Sequence, residues 1–185
     1  MHTLRTAISP EEAARATAAA AANAATALPR DVSIVAAYAA VRNELSATPL
    51  INSFLERDVA VALPRVIPHE RQLVFHRITH LSELRPAKFR LLEPVPTAPV
   101  VPLGRIDLLI VPGLAFDARG NRLGWGRGHY DVTLAEAPHA LRVGYAYECQ
   151  VIDAVPSTSF DCPMDLVITE QCVRRTQRRQ PDVQR

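Results

Sequence analysis

The 185-residue sequence is poor in glycine, lysine and cysteine. Its three cysteines, Cys149, Cys162 and Cys172, are odd in number, and no two have C-x-x-C spacing. This pattern argues against a disulfide framework and a zinc ribbon, so we expect buried or inert thiols in a reducing compartment. No run approaches the roughly 18 apolar residues of a membrane span. The N-terminus carries Glu11 and Glu12 and has no basic region followed by an apolar core, so we predict no signal peptide and a cytoplasmic protein.

An excess of charge of either sign is also missing. The net charge of +2 is too small to imply a nucleic-acid partner, and Lys88 is the only lysine. Hydrophobic residues make up 48% and charged residues 22%, which is typical of a soluble globular protein. We expect residues 1–172 to form one domain, residues 173–185 to form a basic, disordered and solvated tail, and the protein to be a monomer.

The segment from Ser9 to Leu28 has the start signals of a helix. Ser9 can be the N-cap, Pro10 occupies the first helical position, and Glu12 lies three residues after Ser9, as in a capping box. The alanine-rich run that follows has the best helix propensity, and Pro29 ends it.

Apolar runs alternate with helical segments in the rest of the chain, which predicts an α/β domain. The predicted strands are Val32–Val41, Asp58–Pro64, Gln72–Ile78, Ile106–Pro112, Leu141–Tyr147 and Asp165–Thr169, and the further helices are Pro49–Arg57 and His129–Ala137. The four prolines of Glu93–Pro102 predict an extended connector. The unbroken apolar run Ile106–Pro112 is typical of a strand buried on both faces of a parallel sheet. We therefore predict a single α/β domain with a mostly parallel open sheet flanked by helices, in a Rossmann-like three-layer arrangement.

Glycine is absent from the first 103 residues, yet five of the seven glycines lie between Gly113 and Gly128. Three of them alternate in the stretch NRLGWGRGHYD, between a buried strand and a predicted helix. Open α/β sheets bind ligands at this position, and glycine lets backbone N–H groups approach a ligand closely. Consecutive N–H groups near a helix N-terminus form an anion site. The loop therefore predicts phosphate binding.

Charged residues around these glycines fit the same interpretation. Arg122 and Arg127 can add charge-assisted hydrogen bonds to phosphate, and Asp131 can hold Mg²⁺ against those phosphates. The alternative is a flexible structural turn. The loop lacks the lysine and hydroxyl of a Walker loop, and it does not follow the dinucleotide-binding glycine spacing.

The stretch DLLIVPGLAFDARGNRLGWGRGHYDVTL closely resembles the signature of 5-formyltetrahydrofolate cyclo-ligases. That signature is an apolar strand, then P-G-x-A-F-D, then G-x-R-L-G-x-G-x-G-x-Y-D. Four further stretches occur along the chain in the family's order: RNELSATPLI, VALPRVI, RVGYAYECQVIDAVP and FDCPMDLVITE. The resemblance therefore covers about Ser9 to Glu170.

The resemblance implies an activity and its partners. Family members use MgATP to close 5-formyltetrahydrofolate into 5,10-methenyltetrahydrofolate and release ADP and phosphate. ATP phosphorylates the formyl oxygen to an iminophosphate, N10 attacks the activated carbon, and phosphate leaves. Positioning and charge stabilisation would supply most of the catalysis. The implied partners are a reduced folate, ATP and Mg²⁺.

The resemblance also implies site residues, carried over position by position. The ATP-binding residues are Arg122, Leu123, Gly124, Trp125, Gly126, Arg127, Gly128, His129 and Tyr130. The substrate-binding residues are Glu44, Trp125, Gly126, Arg127, Gly128 and His129; the catalytic ones are Arg122, Arg127, His129 and Tyr130; the metal ligands are Asp131 and Asp165. Glu44 would bind the pterin-side amides, and Trp125 would stack on the pterin. The alternatives are an exposed bend residue for Glu44, a strand cap for Asp165 and a solvent-facing ring for Trp125.

Two departures from the family pattern bear on activity. His129 stands where the family usually has tyrosine, and a histidine near neutral pH predicts turnover that depends on pH. Family members usually open with a basic helix whose lysine and arginine reach ATP, whereas MHTLRTAI alone precedes Ser9 here, and Arg5 matches the end of that segment. The leading hypothesis is an active cyclo-ligase. The alternatives are a divergent member that binds folate or nucleotide with little turnover, and an unrelated phosphate-ester enzyme.

Overall fold

The computed structural model describes residue 5 and residues 7–88, 91–158 and 161–176. Within these ranges the α-helices are α1 (Pro10–Ala27), α2 (Thr48–Glu56) and α3 (His129–Ala135). The strands of the same ranges are β1 (Ile34–Ala36), β2 (Ala60–Val66), β3 (Leu73–Ile78), β4 (Arg85–Pro86), β5 (Leu92–Glu93), β6 (Val100–Val101), β7 (Leu108–Val111), β8 (Ala115–Phe116), β9 (Arg122–Leu123), β10 (Leu141–Tyr145), β11 (Leu166–Ile168) and β12 (Val173–Arg175). Short 3₁₀ segments lie at Leu81–Glu83, Leu103–Arg105 and Glu148–Gln150.

Helix α1 begins as the sequence predicts. The Ser9 hydroxyl accepts a hydrogen bond from the Glu12 N–H at 3.2 Å, and the Glu12 carboxylate accepts one from the Ser9 N–H at 2.9 Å. The predicted capping box is confirmed. Ala20 and Ala24 are fully buried, and their spacing places them on one face of the helix. Their small side chains let α1 lie close to α2 and to the β11–β12 end of the sheet.

Eight strands form one sheet in the order β12-β11-β10-β7-β1-β2-β3-β6. The neighbouring strands β11, β10, β7, β1 and β2 are parallel. Antiparallel pairs, β11–β12, β2–β3 and β3–β6, extend the sheet at both ends. The predicted mostly parallel sheet is therefore confirmed.

Helices cover both faces of this sheet. Leu108 and Ile110 of β7 pack into the cluster that contains the buried faces of α1 and α2, whereas Leu109 and Val111 pack with Leu134 of α3. All four residues of β7 are buried, as its unbroken apolar run predicts. The arrangement is the three-layer α/β domain that the sequence predicts.

Some predicted elements differ in extent. Strand β1 occupies Ile34–Ala36 of the predicted Val32–Val41, because its ladder with β2 ends where Ala36 pairs with Ala62. Strand β2 continues past Pro64, since this proline lies beyond the ladder with β1, where its missing N–H leaves no gap. The predicted connector Glu93–Pro102 contains the short strand β6. The other predicted elements are present, with ends shifted by one or two residues.

The predicted boundary after Cys172 is too early. Val173 to Arg175 form β12, which pairs with β11, so these residues are part of the sheet rather than of a tail. Arg174 also binds the Glu148 carboxylate through both of its terminal nitrogens, at 2.9 and 2.5 Å. Residues 177–185, the rest of the predicted tail, lie outside the described residues.

The cysteines and the helices test the expectations about thiols and about membrane spans. Cys149, Cys162 and Cys172 are free thiols, and Cys149 is exposed, so of the expected buried or inert thiols it belongs to the inert kind. Partial desolvation of its sulfur raises the pKa of the Cys149 thiol, which disfavours the reactive thiolate. Among the described residues, no helix combines the length and the apolar character that crossing a membrane requires.

Candidate active site

A cavity of about 560 Å³ lies at the carboxyl ends of the parallel strands. The chain leaves β1 toward β2 on one side, and β7 pairs with β1 on the other, so the strand order reverses at the β1/β7 pair. Tyr38, which follows β1, and Gly113, which follows β7, line the cavity. Open α/β sheets bind ligands at such a point, and the volume suits a small molecule.

Almost all site residues predicted from the sequence line this cavity. They are Glu44, Arg122, Leu123, Gly124, Trp125, Gly126, Arg127, Gly128, His129, Tyr130 and Asp131. The predicted metal ligand Asp165 is not among the lining residues. Apolar residues from β2, β3 and the β5 region complete the wall, namely Pro64, Val66, Leu73, Leu91 and Leu92. The cavity is thus lined both by a charged loop and by an apolar wall.

A hairpin of β8 and β9 carries the start of the stretch Asn121–Asp131, which we call the glycine loop. A buried carboxylate, that of Asp117, shapes the turn of this hairpin. Asp117 accepts hydrogen bonds from the N–H groups of Arg119, Asn121 and Val155 at 2.9, 3.0 and 3.1 Å, and from the Asn121 side chain at 2.8 Å. Burial raises the pKa of Asp117, but these bonds outweigh that effect and hold the pKa below its usual value. Asp117 therefore acts as an ionised brace under the loop.

The structure explains why two positions of the loop are glycine. Gly128 is the N-cap of α3 and has a φ of 69°, in the left-handed region that side chains with a Cβ rarely adopt. A Cβ on Gly124 would lie 2.7 Å from Nη1 of Arg122. Glycine at this position leaves space for the Arg122 guanidinium to lie against the loop backbone.

Arg122 is paired with the residue predicted to hold the metal. Its Nη2 lies 2.8 Å from Oδ1 of Asp131, and its guanidinium lies 5.4 Å from the centre of the Tyr130 ring. The Arg122 side chain is only 5% exposed, and its Nε has no hydrogen-bond partner among the described residues. A largely buried cation with an unused donor, beside a loop of backbone N–H groups, is suited to bind an anion.

The first residue of α3 is fixed by the neighbouring strand region. Nδ1 of His129 lies 2.8 Å from the carbonyl oxygen of Arg71, which requires a proton on Nδ1. Thr133 donates to the His129 carbonyl and accepts from the Leu73 N–H. These bonds orient the His129 ring at the cavity wall. Burial raises the pKa of Tyr130, which follows His129, so its phenol stays protonated and can donate a hydrogen bond.

Glu44 follows a tight turn in which Arg42 and Asn43 have positive φ values of 49° and 58°. Its carboxylate accepts a hydrogen bond from the Val41 N–H at 3.1 Å and another from the Trp125 side chain. Burial raises the pKa of Glu44, and the bond from Val41 and the charge of Arg5 oppose this shift. The carboxylate thus lies in the cavity wall beside the only tryptophan.

The sequence did not identify Arg5 as a site residue. Arg5 is 1% exposed and donates to the carbonyl oxygens of Arg42 at 2.8 Å and Gly113 at 3.5 Å. Its guanidinium lies 5.8 Å from the centre of the Trp125 ring. No local signal marks Arg5, because its partners are 37 to 120 residues away in sequence and meet only in the fold.

The two predicted metal ligands lie in different surroundings. Asp131 lines the cavity and its side chain is 30% exposed, whereas Asp165 precedes β11, where its carboxylate accepts from the Arg142 N–H at 2.8 Å. Asp161, which sequence reasoning passed over, also lines the cavity. The described residues contain no cluster of three or more metal-binding side chains. Mg²⁺ commonly uses one or two carboxylates together with substrate phosphates, so Asp131 fits the ion without such a cluster.

Comparison with known proteins supports the resemblance seen in the sequence. A model of the 5-formyltetrahydrofolate cyclo-ligase family matches residues 1–170. The 5-formyltetrahydrofolate cyclo-ligase of Escherichia coli (strain K12) is 37% identical over 139 residues, which cover 73% of this chain and 76% of that protein. The Mycolicibacterium smegmatis enzyme of the same name is 34% identical over 143 residues, with coverages of 73% and 72%.

Solved structures agree with these relatives. The 5,10-methenyltetrahydrofolate synthetase of Aquifex aeolicus superposes with a TM-score of 0.82 at 32% identity, covering 100% of this chain and 92% of that one. The Mycoplasma pneumoniae synthetase has a TM-score of 0.74 at 21% identity, covers 91% of this chain and 93% of its own, and shares the fold. On the family match and the relatives together, this chain belongs to the 5-formyltetrahydrofolate cyclo-ligase family.

Proposed function

We propose that this chain is an ATP-dependent ligase that cyclises 5-formyltetrahydrofolate to 5,10-methenyltetrahydrofolate and releases ADP and phosphate. The observation that carries the proposal is the meeting of Glu44 and the complete loop Arg122–Asp131 around one cavity. These residues are separated by about 80 positions in the chain and include every carried-over residue except Asp165. The expected cytoplasmic location and monomeric state remain predictions.

The phosphate side of the cavity supplies charge. Arg122 would leave Asp131 and donate to the transferring phosphoryl group, and Arg127 and the loop N–H groups would hold the remaining phosphate oxygens. Asp131 would hold Mg²⁺, which neutralises phosphate charge when bound. The protonated Tyr130 phenol and the oriented His129 ring lie at the same wall and would position the formyl group.

The folate side of the cavity supplies shape and amide recognition. The Glu44 carboxylate can accept two N–H bonds from a flat heterocycle, and the Trp125 ring offers a stacking face. With the folate held here, the formyl oxygen attacks the terminal phosphorus of ATP, and the bond to ADP breaks. N10 then attacks the formyl carbon, the C–O bond breaks with departure of phosphate, and the N10 proton passes to solvent. The site contributes mainly orientation and electrostatic stabilisation.

The proposal is tested by absorbance. The purified chain is mixed with 5-formyltetrahydrofolate and MgATP, and the near-ultraviolet band of the methenyl product is followed together with ADP. We expect equal amounts of both products, formed only when ATP and Mg²⁺ are present. Arg122→Gln should lose most of this turnover, whereas Arg119→Gln, an exposed arginine in the adjacent hairpin turn, should retain it. Product formation without ATP would contradict the proposal.

The same experiment distinguishes the alternative of a folate-binding protein with little turnover. The half-buried ion pair between Arg122 and Asp131 is the feature that would favour this alternative, since it occupies both groups that the nucleotide needs. Saturable folate binding, measured by Trp125 fluorescence, without methenyl product or ADP would establish this alternative in place of the enzyme.

A further inference from the structure

Arg5 is a fully buried guanidinium that joins parts of the cavity wall. It donates to the carbonyl oxygen of Arg42, in the turn that leads to Glu44, and more weakly to that of Gly113, where β7 enters the glycine loop. Its charged group also lies over the Trp125 ring. Arg5 therefore contacts the turn after β1, the end of β7 and the middle of the glycine loop.

The environment of Arg5 is unusual for an arginine. Among the described residues, no carboxylate forms an ion pair with Arg5, and its Nε is buried without a hydrogen-bond partner. Burying such a cation is costly unless other interactions compensate. The compensating groups here are two backbone carbonyls, an aromatic face and the more distant charge of the Glu44 carboxylate, all of which belong to the cavity wall.

The bond to the Arg42 carbonyl acts on a turn that is unfavourable by itself. Arg42 and Asn43 both adopt left-handed backbone conformations, which are uncommon for residues other than glycine and persist when the surroundings hold them. This turn places the Glu44 carboxylate in the cavity, where it accepts a bond from Val41. Arg5 thus holds the turn from its buried side.

The Trp125 ring is held from several directions. The guanidinium groups of Arg5 and Arg42 lie 5.8 and 4.7 Å from its centre, and its side chain is hydrogen-bonded to Glu44. The residue is 44% exposed, so the ring is fixed by these contacts while part of it remains open to a ligand. Arg42 itself is exposed, and Arg5 is the buried member of the pair.

We propose that Arg5 is a positioning residue for the folate wall: it fixes the Arg42 turn and the Trp125 ring so that Glu44 and Trp125 present a preformed surface to the substrate. The identity of the ligand rests on the proposed function, but the effect of Arg5 on the ligand-free wall does not. A positioning role acts through Trp125 and the turn, so its loss should weaken folate binding more than ATP binding.

The single tryptophan makes this testable in the ligand-free protein. Trp125 fluorescence and its quenching by acrylamide report the mobility of the ring. We expect Arg5→Gln to increase acrylamide quenching and to raise the folate KM by about tenfold, with the ATP KM and kcat changed by less than about threefold. Arg5→Lys should restore part of both effects, because it keeps the charge but cannot bond two carbonyls in the same geometry.

A matched control is available away from the cavity. Arg57 lies 5.7 Å from the Phe54 ring centre and donates to the Arg30 carbonyl at 2.9 Å, so it combines the same two interaction types. Arg57→Gln should leave Trp125 quenching and the folate KM unchanged. Similar changes in the control would show a general loss of stability and would overturn the proposal.

A mutant cycle separates positioning from a direct role in folate binding. Because Arg5 acts through both Trp125 and the turn that carries Glu44, Arg5→Gln in a background that carries both Trp125→Phe and Glu44→Gln should raise the folate KM by less than about threefold. A full tenfold effect in that background would overturn the proposal. If only one of Arg5→Gln and Arg5→Lys folds, the quenching test uses that variant. Acrylamide quenching of Trp125 that equals the wild-type value in the folded variant would also overturn the proposal. If the wild type neither turns over nor binds folate, the proposed function fails, whereas the quenching result still decides whether Arg5 holds the wall.

Discussion

The ion pair between Arg122 and Asp131 should contribute measurably to the stability of the ligand-free protein. Their charged atoms are 2.8 Å apart, the Arg122 side chain is 5% exposed and that of Asp131 is 30% exposed. Fully exposed pairs contribute about 0.2–1 kcal/mol, and removing one partner of a fully buried pair costs about 3–5 kcal/mol. For this half-buried geometry we expect Arg122→Gln and Asp131→Asn each to lower the free energy of unfolding by about 1–3 kcal/mol.

The assay is urea unfolding of the wild type, both single variants and the double variant, followed by circular dichroism without nucleotide or metal. We expect the double variant to lose clearly less than the sum of the singles, with a coupling energy of about 1–2 kcal/mol. Each kcal/mol should lower Tm by about 2–4 °C in a chain of this size. Added NaCl should reduce the coupling only weakly, since Arg122 is shielded from solvent.

Additive effects of the two substitutions, with a coupling energy below about 0.3 kcal/mol, would refute this reasoning. They would mean that the guanidinium is stabilised mainly by the Tyr130 ring and the loop backbone. The Arg119→Gln variant provides the reference, because its side chain is largely exposed and its contact with Asp117 is 3.9 Å. Its free energy of unfolding should change by less than about 0.5 kcal/mol.

Two further substitutions address the folate wall and the loop brace. Glu44→Gln should raise the folate KM by about 10- to 100-fold with an unchanged ATP KM, because an amide replaces a carboxylate that accepts N–H bonds. Burial raises the pKa of Glu44, so the folate affinity of the wild type should fall as the pH drops through that raised pKa. The Glu44→Gln variant should not show this loss of affinity. Asp117→Asn should lower the free energy of unfolding at pH 7 by about 1–3 kcal/mol, since an amide cannot accept all four bonds. Because the folded pKa of Asp117 is lowered, its stabilisation is complete above the unfolded value of about 3.9 and is lost as the pH falls through the folded pKa. Urea unfolding between pH 7 and pH 2.5 should therefore show a weaker acid-induced loss for the variant, and parallel curves would contradict the assignment.

Local chemistry accounts for the features that the sequence predicted well. Ser9 and Glu12 form their capping box within four residues, and the run Leu108–Val111 is buried because it has no polar position to expose. The glycine loop lies at the strand ends because the chain that leaves a buried parallel strand must turn there. These features depend on neighbours in sequence, so one sequence suffices to predict them.

Features that depend on distant partners are harder to predict from one sequence. Arg5 became a wall residue through contacts with Arg42 and Trp125, and nothing in the sequence near Arg5 indicates them. Asp165 matches a family motif, and its carboxylate accepts a hydrogen bond from the Arg142 N–H at the start of β11, so its role as a metal ligand stays a prediction. The basic composition of Val173–Arg175 predicts a solvated tail, whereas these residues form β12 and Arg174 has a carboxylate partner at Glu148.

The two sides of the cavity are prepared in different ways for binding. On the proposed folate side, Glu44 and Trp125 are already held by backbone and side-chain bonds, so a ligand would meet a surface that needs little further ordering. On the proposed phosphate side, Arg122 and Asp131 form an ion pair, and phosphate binding as proposed would separate them. Under the proposed function, MgATP would replace both partners at once: phosphate would take the place of Asp131 beside Arg122, and Mg²⁺ would take the place of Arg122 beside Asp131. Nucleotide without the metal would replace only one of them and would leave the Asp131 charge beside phosphate, so we expect the internal ion pair to favour binding of the metal complex over binding of free ATP.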